Sequence, residues 1–175
     1  AHHVMAGVEG QPDESYWNIH MYSNNSPTTV ARLLRFSSQL DCALADLPGL
    51  VAIDYSIPNC SKFHKPKQIS YKMKVSKFGA RTGLTNGYVS SELPAYYKYK
   101  SREGVLYQNL AWVIRPLVPG NIITEGGDSG SVYYETSTGR PVALHVAGDG
   151  DSNYNQEFGF AVGILPIVKT LNISF

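Results

Sequence analysis

Gly126-Gly127-Asp128-Ser129-Gly130-Ser131 is the most specific stretch of this 175-residue chain. A serine hydroxyl is a poor nucleophile until a base takes its proton, and the charge that then forms on an attacked carbonyl oxygen has to be met by aimed backbone N–H groups. The glycines serve the second need. Without a Cβ, Gly127 and Gly130 let the main chain turn sharply and approach a substrate, so that the N–H groups of Gly127 and Ser129 can converge on one oxygen. The same residues would also suit an ordinary hairpin turn. What else the chain carries, and in what order, decides between the two.

Around this stretch lies one domain's worth of chain, or two small packed halves, at 19.2 kDa. Hydrophobic residues at 43% and charged ones at 17% exclude intrinsic disorder, and no apolar run approaches the length that spans a bilayer. The 16 glycines, 10 prolines and 12 tyrosines favour turns and strands over long helices. Strand-like runs recur at 16–22, 29–36, 42–47, 68–75, 87–89, 104–114, 131–135, 141–146 and 158–162, separated by turn signals such as Pro119-Gly120 and Thr138-Gly139-Arg140-Pro141. After Pro166 the spacing of Ile167, Val168 and Leu171 predicts a short helix. The expectation is an all-β fold with a closing helix. Its aperiodic, proline-bearing segment at 55–67 separates an N-terminal half at 1–54 from a C-terminal half at 68–175.

Net charge is +1 and steers no partner in particular. The 55–91 stretch has no acidic residue but carries Lys62, Lys65, Lys67, Lys72, Lys74, Lys77 and Arg81. The stretch reads as a solvated connector and strand; a polyanion-binding surface is the alternative, although no nucleic-acid motif accompanies it. Cys42 and Cys60 are too few for a disulfide scaffold and form no ligand cluster, so neither metal nor cofactor is expected.

The companions of Ser129 come in a telling order. His2-His3-Val4 lies near the start, and Asp41-Cys42-Ala43-Leu44-Ala45-Asp46-Leu47 puts an acid at the mouth of an apolar strand. His3 and Asp41 are 38 residues apart, and Asp41 and Ser129 are 88 apart. Histidine, aspartate and serine are the members of a nucleophilic triad. With the glycine-punctuated Lys77-Phe78-Gly79-Ala80-Arg81-Thr82-Gly83-Leu84-Thr85-Asn86-Gly87-Tyr88-Val89 and the later runs Leu144-His145-Val146-Ala147-Gly148 and Phe158-Gly159-Phe160-Ala161-Val162, they form an ordered set. In this set the chain resembles the chymotrypsin-like serine peptidases. The likeness is to trypsin-like domains without the family disulfides, such as the glutamyl endopeptidase and high-temperature-requirement groups.

The resemblance implies a two-barrel all-β fold and hydrolysis of peptide or protein substrates through an acyl-enzyme, with no nucleic acid or membrane partner. It makes His3 the base, or His2 if the alignment is set one residue earlier. It gives Asp41 the task of holding the imidazole, Ser129 that of the nucleophile, and Gly127 and Ser129 the oxyanion hole. It puts Ile123 where relatives cutting after Lys or Arg have an acid, and it lines the primary pocket with Thr124, His145, Val146 and Gly148, which implies a preference for Glu or Gln. His145 also has a plain reading as a hydrogen-bonded strand histidine. Family members carry a few tens of residues before the base, so the first barrel is expected to lack its opening strands, with a partner chain or a missing N-terminal segment completing it. The competing expectation is a non-catalytic homologue acting as a peptide-binding module.

Overall fold

The computed structural model describes residues 18–23, 26–47, 64–100, 106–148 and 158–174. Ten strands and one helix lie in these segments: β1 (Asn18–Ser23), β2 (Ser26–Ser37), β3 (Cys42–Asp46), β4 (Lys74–Gly79), β5 (Gly83–Val89), β6 (Ala95–Lys100), β7 (Leu106–Pro116), β8 (Val132–Glu135), β9 (Pro141–Gly148), β10 (Gly159–Gly163) and α1 (Ile164–Thr170). Every strand pairing is antiparallel. β1, β2 and β3 form a three-stranded sheet among the described residues.

The second sheet runs β10-β9-β8-β4-β5-β7-β6, and β10 also pairs with β7. That last pairing closes six strands into a barrel and leaves β6 as a flap on the first half of β7. The barrel is filled by Val75, Val89, Ile114, Ile123, Val142 and Ala161 with Trp112 and Tyr133. Gly87 faces inward where a Cβ would stand only 2.9 Å from Ile123 Cδ1. A second cluster joins Cys42 of β3 to Tyr97, Ala111, Val146, Val162, Ile167 and Leu171. It is the contact through which the first sheet and the helix lean on the barrel. Ile167 and Leu171, four apart, are the apolar face the sequence predicted, with Pro166 in the first turn where its missing N–H costs nothing.

Two expectations need correction. The strand read at 68–75 does not form: Tyr71 and Lys72 make a turn, Lys72 has φ +62°, and pairing begins at Lys74. Ile69 and Met73 are buried from this loop, so their apolar character signalled burial and not extension. Conversely, Ala95–Lys100 forms β6, outside the strand-like runs expected from the sequence. Cys42 is free and buried; Cys60 lies outside the described residues, as do positions 55–63 of the connector. Among the described residues, no helix is long and apolar enough to cross a membrane.

Candidate functional site

The loop between β7 and β8 carries Ser129, and the residue before it explains the loop's shape. On β4, Val75, Lys77 and Gly79 share one face by the two-residue period of a strand, and that face is buried. Lys77 therefore points inward, and its Nζ meets Asp128 Oδ2 at 2.6 Å with both side chains fully buried. The carboxylate also accepts hydrogen bonds from Thr82 Oγ1 at 2.6 Å and from the backbone N–H groups of Arg81 at 2.9 Å, Thr82 at 3.2 Å and Glu125 at 3.3 Å. A Cβ at Gly79 would overlap this carboxylate. Burial opposes the charge on Asp128, but the bonds from Lys77, Thr82 and Arg81 outweigh it and hold the carboxyl well below its ordinary range. Burial lowers the Lys77 ammonium, with Asp128 acting in the opposite direction. The ion pair thus staples the serine loop to the β4–β5 hairpin, a part of the site that the sequence reading missed.

Within the loop, the Asp128 N–H donates to the Glu125 carbonyl at 3.0 Å, and Ser131 returns its N–H at 3.0 Å and its hydroxyl at 2.6 Å to the Asp128 carbonyl. Gly127 has φ +111° and Gly130 φ +92°, conformations that side-chain-bearing residues rarely adopt. A Cβ on Gly127 would also stand 2.6 Å from Arg81 Cγ. Neither the Gly127 nor the Ser129 amide donates to a described residue. The Ser129 hydroxyl donates to the Val146 carbonyl at 3.3 Å. Reciprocal bonds, Gly130 N–H to the His145 carbonyl at 2.9 Å and His145 N–H to the Ser131 carbonyl at 2.8 Å, clamp the serine beside β9.

His2 and His3 lie outside the described residues. Asp41 occupies the turn before β3 with φ +46°, a conformation aspartate tolerates better than most residues, and is 1% exposed. The next residue, Cys42, packs in the same cluster as Val146, whose carbonyl takes the Ser129 hydroxyl. Burial, with a contribution from the Asp41 charge, pushes the Cys42 thiol up to about 11, so it is an unreactive packing residue. Through this cluster the strand of the expected acid and the partner of the expected nucleophile are brought together.

The expected pocket residues also meet. Thr124 Oγ1 and His145 Nε2 are 2.6 Å apart and both side chains are buried. Val146 follows on β9, and Gly148 closes the strand by pairing with Gly159 of β10. Ile123 is fully buried in the barrel core. Tyr133, which the sequence reading did not single out, lies edge-on to His145 with ring centroids 5.9 Å apart. A separate open cavity of about 850 Å³ borders the serine loop, lined in part by Arg81, Thr82, Leu84, Leu117, Ile122 and Glu125. The basic run is no continuous surface: Lys77 is buried on Asp128, and Lys67 pairs with Glu135 at 2.8 Å.

No protein-family model and no curated protein matches the sequence. Solved structures do match the fold. A glutamic-acid-specific serine protease that uses a histidine triad in substrate binding superposes with a TM-score of 0.60 at 16% identity, over 83% of this chain and 73% of that one. Cellulomonas bogoriensis chymotrypsin gives 0.62 at 19% identity, over 81% and 73%. Thermobifida fusca Protease A gives 0.57 at 16% identity, over 81% and 72%. His145 is the only histidine after His64, so a pocket on this barrel has at most one imidazole from the chain's own C-terminal half. The closed barrel, the three-stranded sheet leaning on it and the glycine-shaped serine loop together have the fold of the chymotrypsin-like serine proteases.

Proposed function

We propose that the chain is a serine endopeptidase working through an acyl-enzyme, with Ser129 as nucleophile. The observation that carries this reading is the serine loop itself: Gly127 at φ +111°, amides at Gly127 and Ser129 that donate to no described residue, and a buried Asp128 whose five hydrogen bonds fix the turn between them. In the first step the Ser129 Oγ–C bond forms, the carbonyl electron pair moves onto oxygen, and the Oγ proton passes to the base, His3 or His2. The two amides hold the oxyanion. The proton then goes to the leaving nitrogen as the C–N bond breaks, and water repeats the sequence on the acyl-enzyme. Asp41 orients the imidazole.

For the primary pocket we favour Glu or Gln. Thr124 and His145, paired at 2.6 Å, offer a hydroxyl and an imidazole to a side-chain carboxylate or amide, and a glutamic-acid-specific protease is among the structural neighbours. Val146 and Gly148 supply the adjoining main chain. A second reading, a non-catalytic homologue that binds peptides, draws on the Ser129 hydroxyl being donated to the Val146 carbonyl.

A fluorophosphonate probe separates the two. Labelling of the folded chain that disappears in Ser129→Ala supports the peptidase; a folded chain that never labels refutes it and favours the binding module. A peptide library then reads the pocket, and an unchanged primary-residue profile in His145→Ala would sink the Glu or Gln preference.

A further inference from the structure

The cavity of about 850 Å³ beside the serine loop takes no part in the mechanism above. It follows the β4–β5 hairpin. At one end it is lined by Arg81, Thr82 and Glu125, whose backbone N–H groups all bond the Asp128 carboxylate. At the other stand Lys74 and Thr136, joined by the Thr136 N–H to the Lys74 carbonyl at 3.1 Å. From Lys74 to Gly79, β4 covers roughly 17 Å at about 3.4 Å per residue, so the groove has the length of about five extended residues. The wall facing the hairpin is apolar and bare, with Leu117, Val118 and Ile122 at 41%, 57% and 40% exposure. The Leu117 N–H to the Asn86 carbonyl and the Thr85 hydroxyl to the Ile123 carbonyl, both at 3.1 Å, hold this wall against β5. Neighbouring exposed apolar side chains rimmed by polar groups mark an interaction surface. Neither Lys74 nor Arg81 pairs with a carboxylate among the described residues, and the two cations outnumber the one lining acid, Glu125. The groove shares no lining residue with the proposed primary pocket: Thr124 turns to His145, while Glu125, next in sequence, lines the groove.

We propose that this groove is a second peptide-binding site: it takes an extended acidic segment, with apolar side chains against Leu117, Val118 and Ile122 and carboxylates at Lys74 and Arg81. A uniformly charged polymer suits it less, because the cations stand at the two ends and the wall between them is apolar. A strand-like segment suits it because alternate side chains point to opposite faces, one row toward the wall and the other toward the hairpin. Arg81 connects the groove to the serine loop, since its stem lies where a Cβ on Gly127 would stand 2.6 Å from Arg81 Cγ. In a peptidase the occupant is a stretch of the protein substrate outside the primary pocket. That identification rests on Ser129 acting as the nucleophile, whereas the binding itself does not.

The test uses the Ser129→Ala chain, which leaves the probe intact, and a fluorescein-labelled hexapeptide of alternating aspartate and leucine read by fluorescence anisotropy. Lys74→Glu, made in that chain, should weaken binding about tenfold by turning an attraction into a repulsion. Val118→Asn should also weaken it about tenfold by removing apolar contact. Both side chains are exposed, so neither change reaches the core. No binding, or binding unchanged in both variants, overturns the site. Binding that falls in Lys74→Glu, holds in Val118→Asn and is displaced by a heparin oligosaccharide makes the groove a polyanion patch and overturns the peptide reading. If the expected pattern is found but the native chain never reacts with the fluorophosphonate, the site stands and the peptidase reading alone is refuted. If the native chain does react, joining the aspartate–leucine sequence to a cleavable peptide should lower KM about tenfold with kcat unchanged, and Lys74→Glu should remove that gain. A KM that does not respond overturns the groove as a substrate site.

Discussion

Lys77→Met tests whether the buried ion pair holds the serine loop. The substitution keeps a long unbranched side chain and removes the charge that meets Asp128 at 2.6 Å, where both side chains are fully buried. Deleting one partner of a buried pair typically costs about 3–5 kcal/mol, because a charge is left without compensation. Here the carboxylate retains the Thr82 hydroxyl and three backbone N–H groups. Those four donors put the expected loss at the low end, about 3 kcal/mol, or roughly 8 °C in Tm for a chain of this length. Urea unfolding, followed by the fluorescence of the buried Trp112, measures it. The pH dependence is more discriminating than the loss itself. Asp128 has its folded-state carboxyl depressed, so its contribution is complete above the ordinary carboxylate range and disappears as pH falls through that range toward the folded value. Without Lys77 the depression is smaller, so the stability gap between the native chain and the variant should narrow below about pH 4. Adding Asp128→Asn removes the stranded charge, and the double variant should be less destabilised than the two single losses added together. A loss under about 1 kcal/mol, or a gap that stays constant from neutral to acid pH, would show that the pair does not fix the loop.

Two further outcomes separate packing from backbone conformation. Gly79→Ala should cost about 2–4 kcal/mol because its Cβ overlaps the Asp128 carboxylate, whereas Gly120→Ala, with φ +82° and open space around it, should cost only the left-handed penalty of about 1–2 kcal/mol; urea midpoints of the two variants compare them directly. Leu171→Ala should lose about 2–4 kcal/mol, since its side chain is 2% exposed in the cluster that joins α1, β3 and the barrel, and calorimetry reads the change.

What the sequence disclosed depended on whether a residue's chemistry matched its position. The hairpin from Lys77 to Val89 was legible because its glycines mark the points where the chain turns or packs closely, and β4 and β5 do meet at Gly79 and Gly83. Thr124 and His145 were legible as pocket candidates only through a resemblance, because 21 residues separate them and the 2.6 Å contact depends on how β9 lies against the serine loop. Lys77 was misread for a definite reason. In a run of seven basic residues it looks like one more solvated charge, yet the two-residue period puts it on the face of Val75 and Gly79 while Phe78 points outward and is 47% exposed. A lysine on the inward face beside a phenylalanine on the outward one is an inverted pattern. Such an inversion signals that a buried countercharge is required. The only aspartate or glutamate in the Gly126–Ser131 stretch is Asp128, the residue whose neighbour the motif assigns to attack. Lys77 of the basic stretch and Asp128 of the serine motif, read apart as a surface and a site, are the two halves of one internal ion pair, and that one lysine's charge fixes the serine loop.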